Sequence, residues 1–182
     1  TALQLGQMGY PAYYGLAERY LRGMLLPTQH REPELRAFMR DNEHPKSDAE
    51  FEVVRRTVGG YAMQLPNDRM REGDWPLSTL DITSGAIHAM AECYRHRVVR
   101  NGDTSKVNLF FDYDGDDVTI DSGLPLEGRI AFTMKQAGTL SVRVPEWCDG
   151  AAMQTTVSSA TFKTEVKEGY LILSDLAAGA SG

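Results

Sequence analysis

The stretch Leu80-Asp81-Ile82-Thr83-Ser84-Gly85-Ala86-Ile87-His88-Ala89-Met90-Ala91-Glu92-Cys93-Tyr94-Arg95-His96 separates two halves of different periodicity. It opens with short polar residues and a glycine, as helix starts do, and runs into apolar positions at helical spacing. Ile87, Met90, Ala91, Tyr94 and Val98 are the expected buried stripe of a helix over residues 83–97. Asp81, Thr83 and Ser84 suit the N-cap. They also suit an anion site or a nucleophile, but no nucleophile-elbow pattern surrounds them and capping accounts for them best.

Upstream of this stretch the pattern is helical. Residues 1–8 form a helix that Gly9 stops. A second helix starts around Pro11 and runs to about Leu26, with Leu16, Tyr20 and Met24 on its apolar face beside Tyr13 and Leu21, until Pro27 ends it. Residues 31–47 are charged and carry Pro33 and Pro45, the mark of an exposed loop with at most a short helix over 34–40. Residues 47–58 are a helix capped by Ser47 or Asp48, with Phe51, Val54 and Val58 inward and Gly59-Gly60 closing it. Turn signals at Pro66-Asn67-Asp68 and Trp75-Pro76 make 61–79 a long ordered loop.

Downstream, after the Asn101-Gly102 turn, the period changes to two. Strands are expected over 107–111, 118–120, 129–135, 140–144, 155–157, 161–166 and 170–173. Short strands with frequent turns predict an antiparallel β-sandwich. The fold class is therefore α+β, with a helical segment over 1–102 and a sandwich domain over 103–182. Helices spread over ~100 residues with two long loops make a thin core, so the first half is expected to lean on elements outside this sequence or on a partner chain.

The composition, 182 residues with 42% hydrophobic and 24% charged, is that of an ordinary globular protein. A net charge of −6 with no basic block argues against nucleic acid as a partner. No apolar run approaches the ~20 residues of a membrane span. Two cysteines, Cys93 and Cys148, are too few for a disulfide framework and leave the compartment open. The start at Thr1 and the small-residue tail 177–182 suggest a piece of something longer.

Three clusters invite chemistry. His88, Glu92 and His96 share a broad helix face and have the donor types for zinc, yet that face lies opposite the apolar stripe and is more simply a solvated surface. Asp112, Asp114, Asp116, Asp117 and Asp121 surround a glycine turn, but no glutamate closes a calcium loop, so a solvated hairpin tip is expected. Glu18 is a lone carboxylate beside Arg19. Glycoside hydrolysis commonly uses two carboxylates, and spacing does not separate a catalytic Glu18 from a surface one.

Several blocks in order carry a family resemblance. Gly9-Tyr10-Pro11-Ala12-Tyr13-Tyr14 leads into Ala17-Glu18-Arg19-Tyr20-Leu21-Arg22-Gly23 and Gln29. Gly59-Gly60-Tyr61, Pro66-Asn67-Asp68 and Ser84-Gly85-Ala86 follow, then Val107-Asn108-Leu109, Asp117-Val118, Leu124-Pro125-Leu126-Glu127-Gly128 and Val142-Arg143-Val144-Pro145-Glu146-Trp147. The series resembles bacterial β-L-arabinofuranosidase-like glycoside hydrolases of the family-127 type. The resemblance implies an (α/α)₆ barrel followed by β-sandwich domains, this chain holding the last barrel helices and the first sandwich. It implies a carbohydrate ligand and an activity on plant-type or related glycosides.

In such proteins a zinc-bound cysteine is the nucleophile, and an adjacent Cys-Cys pair stands just before the "SGA" helix. Here Leu80-Asp81 stands in that place, and neither Cys93 nor Cys148 substitutes. The zinc site therefore does not carry over, and no cofactor is expected in this chain. What carries over is Glu18 as a polar contact, Asn67, Asp68, Thr83 and Ser84 at the pocket rim, and Asp81 as a replacement carboxylate. The alternative is a non-catalytic carbohydrate-binding or structural subunit whose Tyr113, Trp147 and Tyr170 stack on sugars.

Overall fold

The computed structural model describes residues 2–29, 31–32, 58–61, 82–149, 153–158 and 161–182. The helices and loops expected over 34–40, 47–57 and 62–79 lie outside them. Among the described residues the order is α1 (Ala2–Gln7), α2 (Ala12–Tyr20), α3 (Thr83–His96) and eight strands. These are β1 (Val98–Asn101), β2 (Thr104–Val107), β3 (Tyr113–Asp114), β4 (Val118–Ser122), β5 (Ile130–Met134), β6 (Gly138–Arg143), β7 (Lys163–Lys167) and β8 (Tyr170–Leu176). The chain forms two compact units, one of Thr1–Glu18 with Glu92–Gly182 and one of Arg19–Ala91.

The strands make a five-stranded sheet in the order β1-β2-β6-β8-β7 and a three-stranded sheet in the order β3-β4-β5. Inward residues of both meet in one core: Val107, Leu140 and Leu173 from the larger sheet, Val118, Ile120 and Met134 from the smaller. One pairing is not antiparallel as expected: β2 and β6 run parallel, Ser105 opposite Leu140. A parallel pair needs a long crossover, and the whole three-stranded sheet supplies it between β2 and β6.

Turn chemistry sets the edges. Glu168 and Gly169 have φ of 51° and 78°, the left-handed pair that a tight two-residue hairpin requires between β7 and β8. A bulge interrupts the β6–β8 register between Gly138 and Leu140, and Asp175, at φ 61°, takes up the extra residue. At that bulge Gly138 lies against the Asp103 carbonyl, which also accepts the Thr139 N–H at 3.0 Å.

Local departures from expectation follow from nonlocal contacts. Strand β1 occupies residues expected to trail off a helix, because Val98 is buried and pairs with Val107. The strand expected over 107–111 ends at Val107, since the N–H groups of Asn108 and Leu109 both turn to the Arg97 carbonyl, at 2.8 and 3.2 Å. Residues 155–157 form no strand. Beyond Tyr20 the second helix loosens into a π turn, Leu21–Leu25, and a 3-10 turn, Leu26–Thr28. Val58, expected inward on a helix, sits exposed in a turn.

The buried helix faces also differ. On α2 the inward residues are Tyr14 and Glu18, while Tyr13 and Tyr20 are exposed. On α3 they are Ala86 and Cys93, while Ile87 and Tyr94 are 55% and 67% exposed. Apart from Tyr14, these inward residues are small or charged, and bulk hydrophobicity does not mark them.

Gly138→Ala is expected to lower stability by about 1–3 kcal/mol, because the added methyl collides with the Asp103 carbonyl. Urea unfolding of the variant against the parent chain measures it; an unchanged midpoint would show that the bulge relaxes freely.

Candidate functional site

Two polar nodes organise the described residues, one in each compact unit. The first centres on Glu18 and Arg143. Arg143 Nη2 donates to Glu18 Oε2 at 3.0 Å, with the two side chains 3% and 9% exposed. Arg143 Nε donates to the Asn108 carbonyl at 2.7 Å, and its guanidinium lies over the Phe110 ring. The Phe110 N–H donates to Glu18 Oε2 at 3.3 Å.

Asn108 extends the node on both sides. Its side-chain amide donates to the His96 carbonyl at 3.1 Å, and its Oδ1 accepts the Tyr170 hydroxyl at 2.8 Å. Glu18 comes from α2, Asn108 from the end of β2, Arg143 from β6 and Tyr170 from β8. The α2 face that makes this possible is narrow: a Cβ on Gly15 would stand 3.0 Å from Arg143 Nη1, and Pro11 meets the hairpin glycine Gly169.

Burial shapes the chemistry of these groups. It presses the Arg143 guanidinium below its ordinary range, against the opposing charges of Glu18, Tyr170 and Glu146. An arginine so placed stays charged, because its intrinsic basicity is too high to yield. Burial, and then the charges of Glu18 and Glu92, push the Cys93 thiol up, so Cys93 offers no thiolate. Burial also raises the Tyr170 phenol, followed by the nearby Tyr14 and opposed by Arg143.

The α3 C-terminus is fastened separately. Arg97 Nη1 donates to the Tyr94 carbonyl at 2.6 Å and Nε to the Asp112 carbonyl at 3.1 Å. The same guanidinium lies over the Tyr94 ring and near the Tyr113 ring. It holds helix, β1 and the β3 turn together.

The second node lies in the other unit. Gln29 and Tyr61 form an antiparallel bridge, and Gln29 Nε2 donates to the Gly59 carbonyl at 3.3 Å. Thr83 Oγ1 accepts the Tyr61 N–H at 3.0 Å. The Tyr61 hydroxyl donates to Met90 Sδ at 3.3 Å. Thr83 thus fastens the Gly59-Gly60-Tyr61 segment to the first turn of α3.

The sequence-derived site residues fall unevenly. Asp81, Asn67 and Asp68 lie outside the described residues. Thr83 is half-buried at the α3 start, and Ser84 beside it is exposed. Glu18 is buried, not on the surface where a lone helix glutamate is expected. Glu92 serves Arg95 at 3.1 Å and stands 3.6 Å from His96, while His88 is exposed.

The acidic turn is not uniformly solvated. Asp117 is buried and accepts the hydroxyls of Ser105 and Tyr113. Asp114 pairs with Lys135 at 2.6 Å in solvent. Of the three aromatics considered for sugar stacking, Tyr170 is buried and Tyr113 half-buried, while Trp147 is 68% exposed. Asn108 and Arg143 are the residues that reasoning from residue types passed over. Both stand in blocks quoted above, and an arginine and an asparagine inside apolar strand patterns were the signal.

Two tests follow. Arg143→Met strands the Glu18 charge and is expected to cost about 3–5 kcal/mol, whereas a Glu18→Leu/Arg143→Met double variant recovers most of it. Urea unfolding of the singles and the double decides this; a fully additive double would contradict a buried pair. For Tyr170 the folded phenol titrates above its ordinary 10.0. Its contribution is therefore fully present below that value and is lost as pH rises from there through the raised one. Unfolding midpoints should hold below about pH 10 and fall above it, and Tyr170→Phe should make the fall shallower.

No family model matches the sequence, and no curated protein matches it. Among solved structures the chain is distantly similar to a family-127 β-L-arabinofuranosidase from Geobacillus stearothermophilus T6, with a TM-score of 0.40 and 16% identity over 68% of this chain and 23% of that one. A second family-127 β-arabinofuranosidase gives a TM-score of 0.42 and 17% identity over 81% of this chain and 30% of that one. The chain spans less than a third of the length of either.

Proposed function

We propose that this chain is the C-terminal piece of a glycoside-hydrolase-like protein of the family-127 type, acting on plant-type or related glycosides. One observation carries the proposal. Several of the sequence blocks that resemble the family, far apart along the chain, contribute residues to the two polar nodes. Glu18, Asn108 and Arg143 come from three of them. Gln29 comes from the same block as Glu18, Gly59 and Tyr61 come from one more, and Thr83 immediately precedes a further one.

In this proposal residues 1–102 are an incomplete portion of an (α/α)₆ barrel and residues 103–182 the following β-sandwich domain. Glu18 and Arg143 join α2 to β6. The pocket rim is Asn67, Asp68, Thr83 and Ser84. Asp81, two positions before α3 in the sequence, is the carboxylate proposed to act as acid, base or nucleophile on a glycoside. Glu18 is engaged by Arg143 and the Phe110 N–H, which favours a positioning role over proton transfer.

In this proposal the thiolate–zinc chemistry of the family does not carry over to this chain. Leu80-Asp81 stands where the Cys-Cys pair would be, and Cys93 is a buried, protonated thiol. Carbohydrate is the proposed ligand, and the protein upstream of Thr1 or a partner chain the proposed complement of the helical segment.

Asp81→Asn in the full-length protein is expected to reduce turnover of arabinosides by about 10²-fold or more. Unchanged turnover would remove Asp81 from the mechanism. The exposure of Trp147 favours a second proposal, a non-catalytic carbohydrate-binding or structural subunit. Glycan binding that Trp147→Ala abolishes, in a full-length protein without turnover, would select it.

A further inference from the structure

We infer that β7 is a self-association edge, on which a second copy of this chain adds its own β7 antiparallel. Among the described residues β7 pairs only with β8 and stands at the end of the five-stranded sheet's strand order. All five of its residues are exposed, and Val166 is 61% exposed although it lies on the same sheet face as the core residues Leu171 and Leu173. A strand of this kind presents a row of backbone donors and acceptors to any strand that matches it.

The sequence of the edge matches itself in one antiparallel register, with Thr164 on the two-fold axis. Phe162 then stands opposite the partner's Val166, Lys163 opposite the partner's Glu165, and Thr164 opposite the partner's Thr164. The two-fold repeats the first two pairs. Each pair joins like with like on one face: apolar with apolar and threonine with threonine on the core side, opposite charges on the outer side. These are the cross-strand combinations that stabilise antiparallel pairs.

Neighbouring registers fail. Centring on Glu165 sets Glu165 against the partner's Glu165 and Lys163 against the partner's Lys167. Lysines commonly guard sheet edges, but in the matched register Lys163 meets opposite charge on both sides, the partner's Glu165 and its own Asp175 at 2.9 Å. The charges therefore select the register. The opposite edge lacks such a match: β1, Val98-Val99-Arg100-Asn101, has one cation and no acid to receive it.

The two-fold pairing of β7 with its copy extends the sheet from five strands to ten. Its contact is smaller than the ~1,200 Å² at the lower end of stable interfaces. The dimer is accordingly weak and its population rises with concentration.

The test is a charge-reversal cycle on the full chain, read by sedimentation velocity across a wide concentration series. Glu165→Lys and Lys163→Glu should each weaken dimerisation by about tenfold or more, because each places like charges opposite one another twice per dimer. The double variant Lys163→Glu/Glu165→Lys restores both pairs and should return the constant to within about threefold of the parent. Val166→Asp should abolish the dimer. All three substituted positions are exposed, so circular dichroism should report an unchanged fold for all four variants. A monomer throughout the series would overturn the inference. So would a dimer insensitive to the single reversals, which would lie on another surface, or a double variant that stays as weak as the singles.

Discussion

Everything in the strand-rich unit depends on one arrangement, a glutamate and an arginine removed from water together. Neither charge is tolerable alone in that place. Together they are, because further hydrogen bonds accompany the pair: Arg143 also serves the Asn108 carbonyl, and Glu18 also receives the Phe110 N–H. The matching carries a structural consequence. To offer their backbone groups, residues 108–110 must leave the β2 ladder, so the strand ends at Val107 with its successors buried off the sheet. Helix α2, the end of β2, β6 and β8 are then fixed relative to one another by groups that tolerate little displacement.

The same logic appears in the smaller node. Tyr61 is almost fully buried, and each of its polar groups is used: the backbone in the bridge to Gln29 and the bond to Thr83, the hydroxyl on Met90. In both units the fixed points are polar and come from short sequence blocks. The apolar core is shared among many aliphatic residues and is correspondingly forgiving. The blocks that resemble a glycoside-hydrolase family therefore include the residues with the least freedom to change without a matching change elsewhere.

Much of the strand half could be read from residues alone, because period-two alternation is a local property. Strands β4, β5, β6 and β8 stand close to where alternation puts them. Strand β1 was hidden because Val98-Val99 continues a helical stripe as well as it begins a strand. The parallel β2–β6 pair was hidden because nothing in either segment says which way its neighbour runs. Helix faces were misjudged at Ile87 and Tyr94, since size and apolarity do not reveal that Ala86 and Cys93 permit the closer approach. Glu18, Arg97 and Arg143 have the residue types of a surface and the burial of a core, and only their partners, distant in sequence, explain that. Asp81, Asn67 and Asp68 fall outside the described residues, so the carboxylate part of the candidate site rests on sequence.

The ion pair spans 125 positions of the chain. A ribosome adds about 5–20 residues per second, so Glu18 is synthesised roughly 6–25 seconds before Arg143 exists. For that interval α2 carries a charged residue on the face it will later bury. It must remain hydrated and undocked on the nascent chain, while β1 to β5 are made in between. Premature collapse of the helix onto incomplete strands is disfavoured by the very carboxylate that later anchors it. By this reasoning docking of α2 is favoured only once β6 has been made and can supply Arg143.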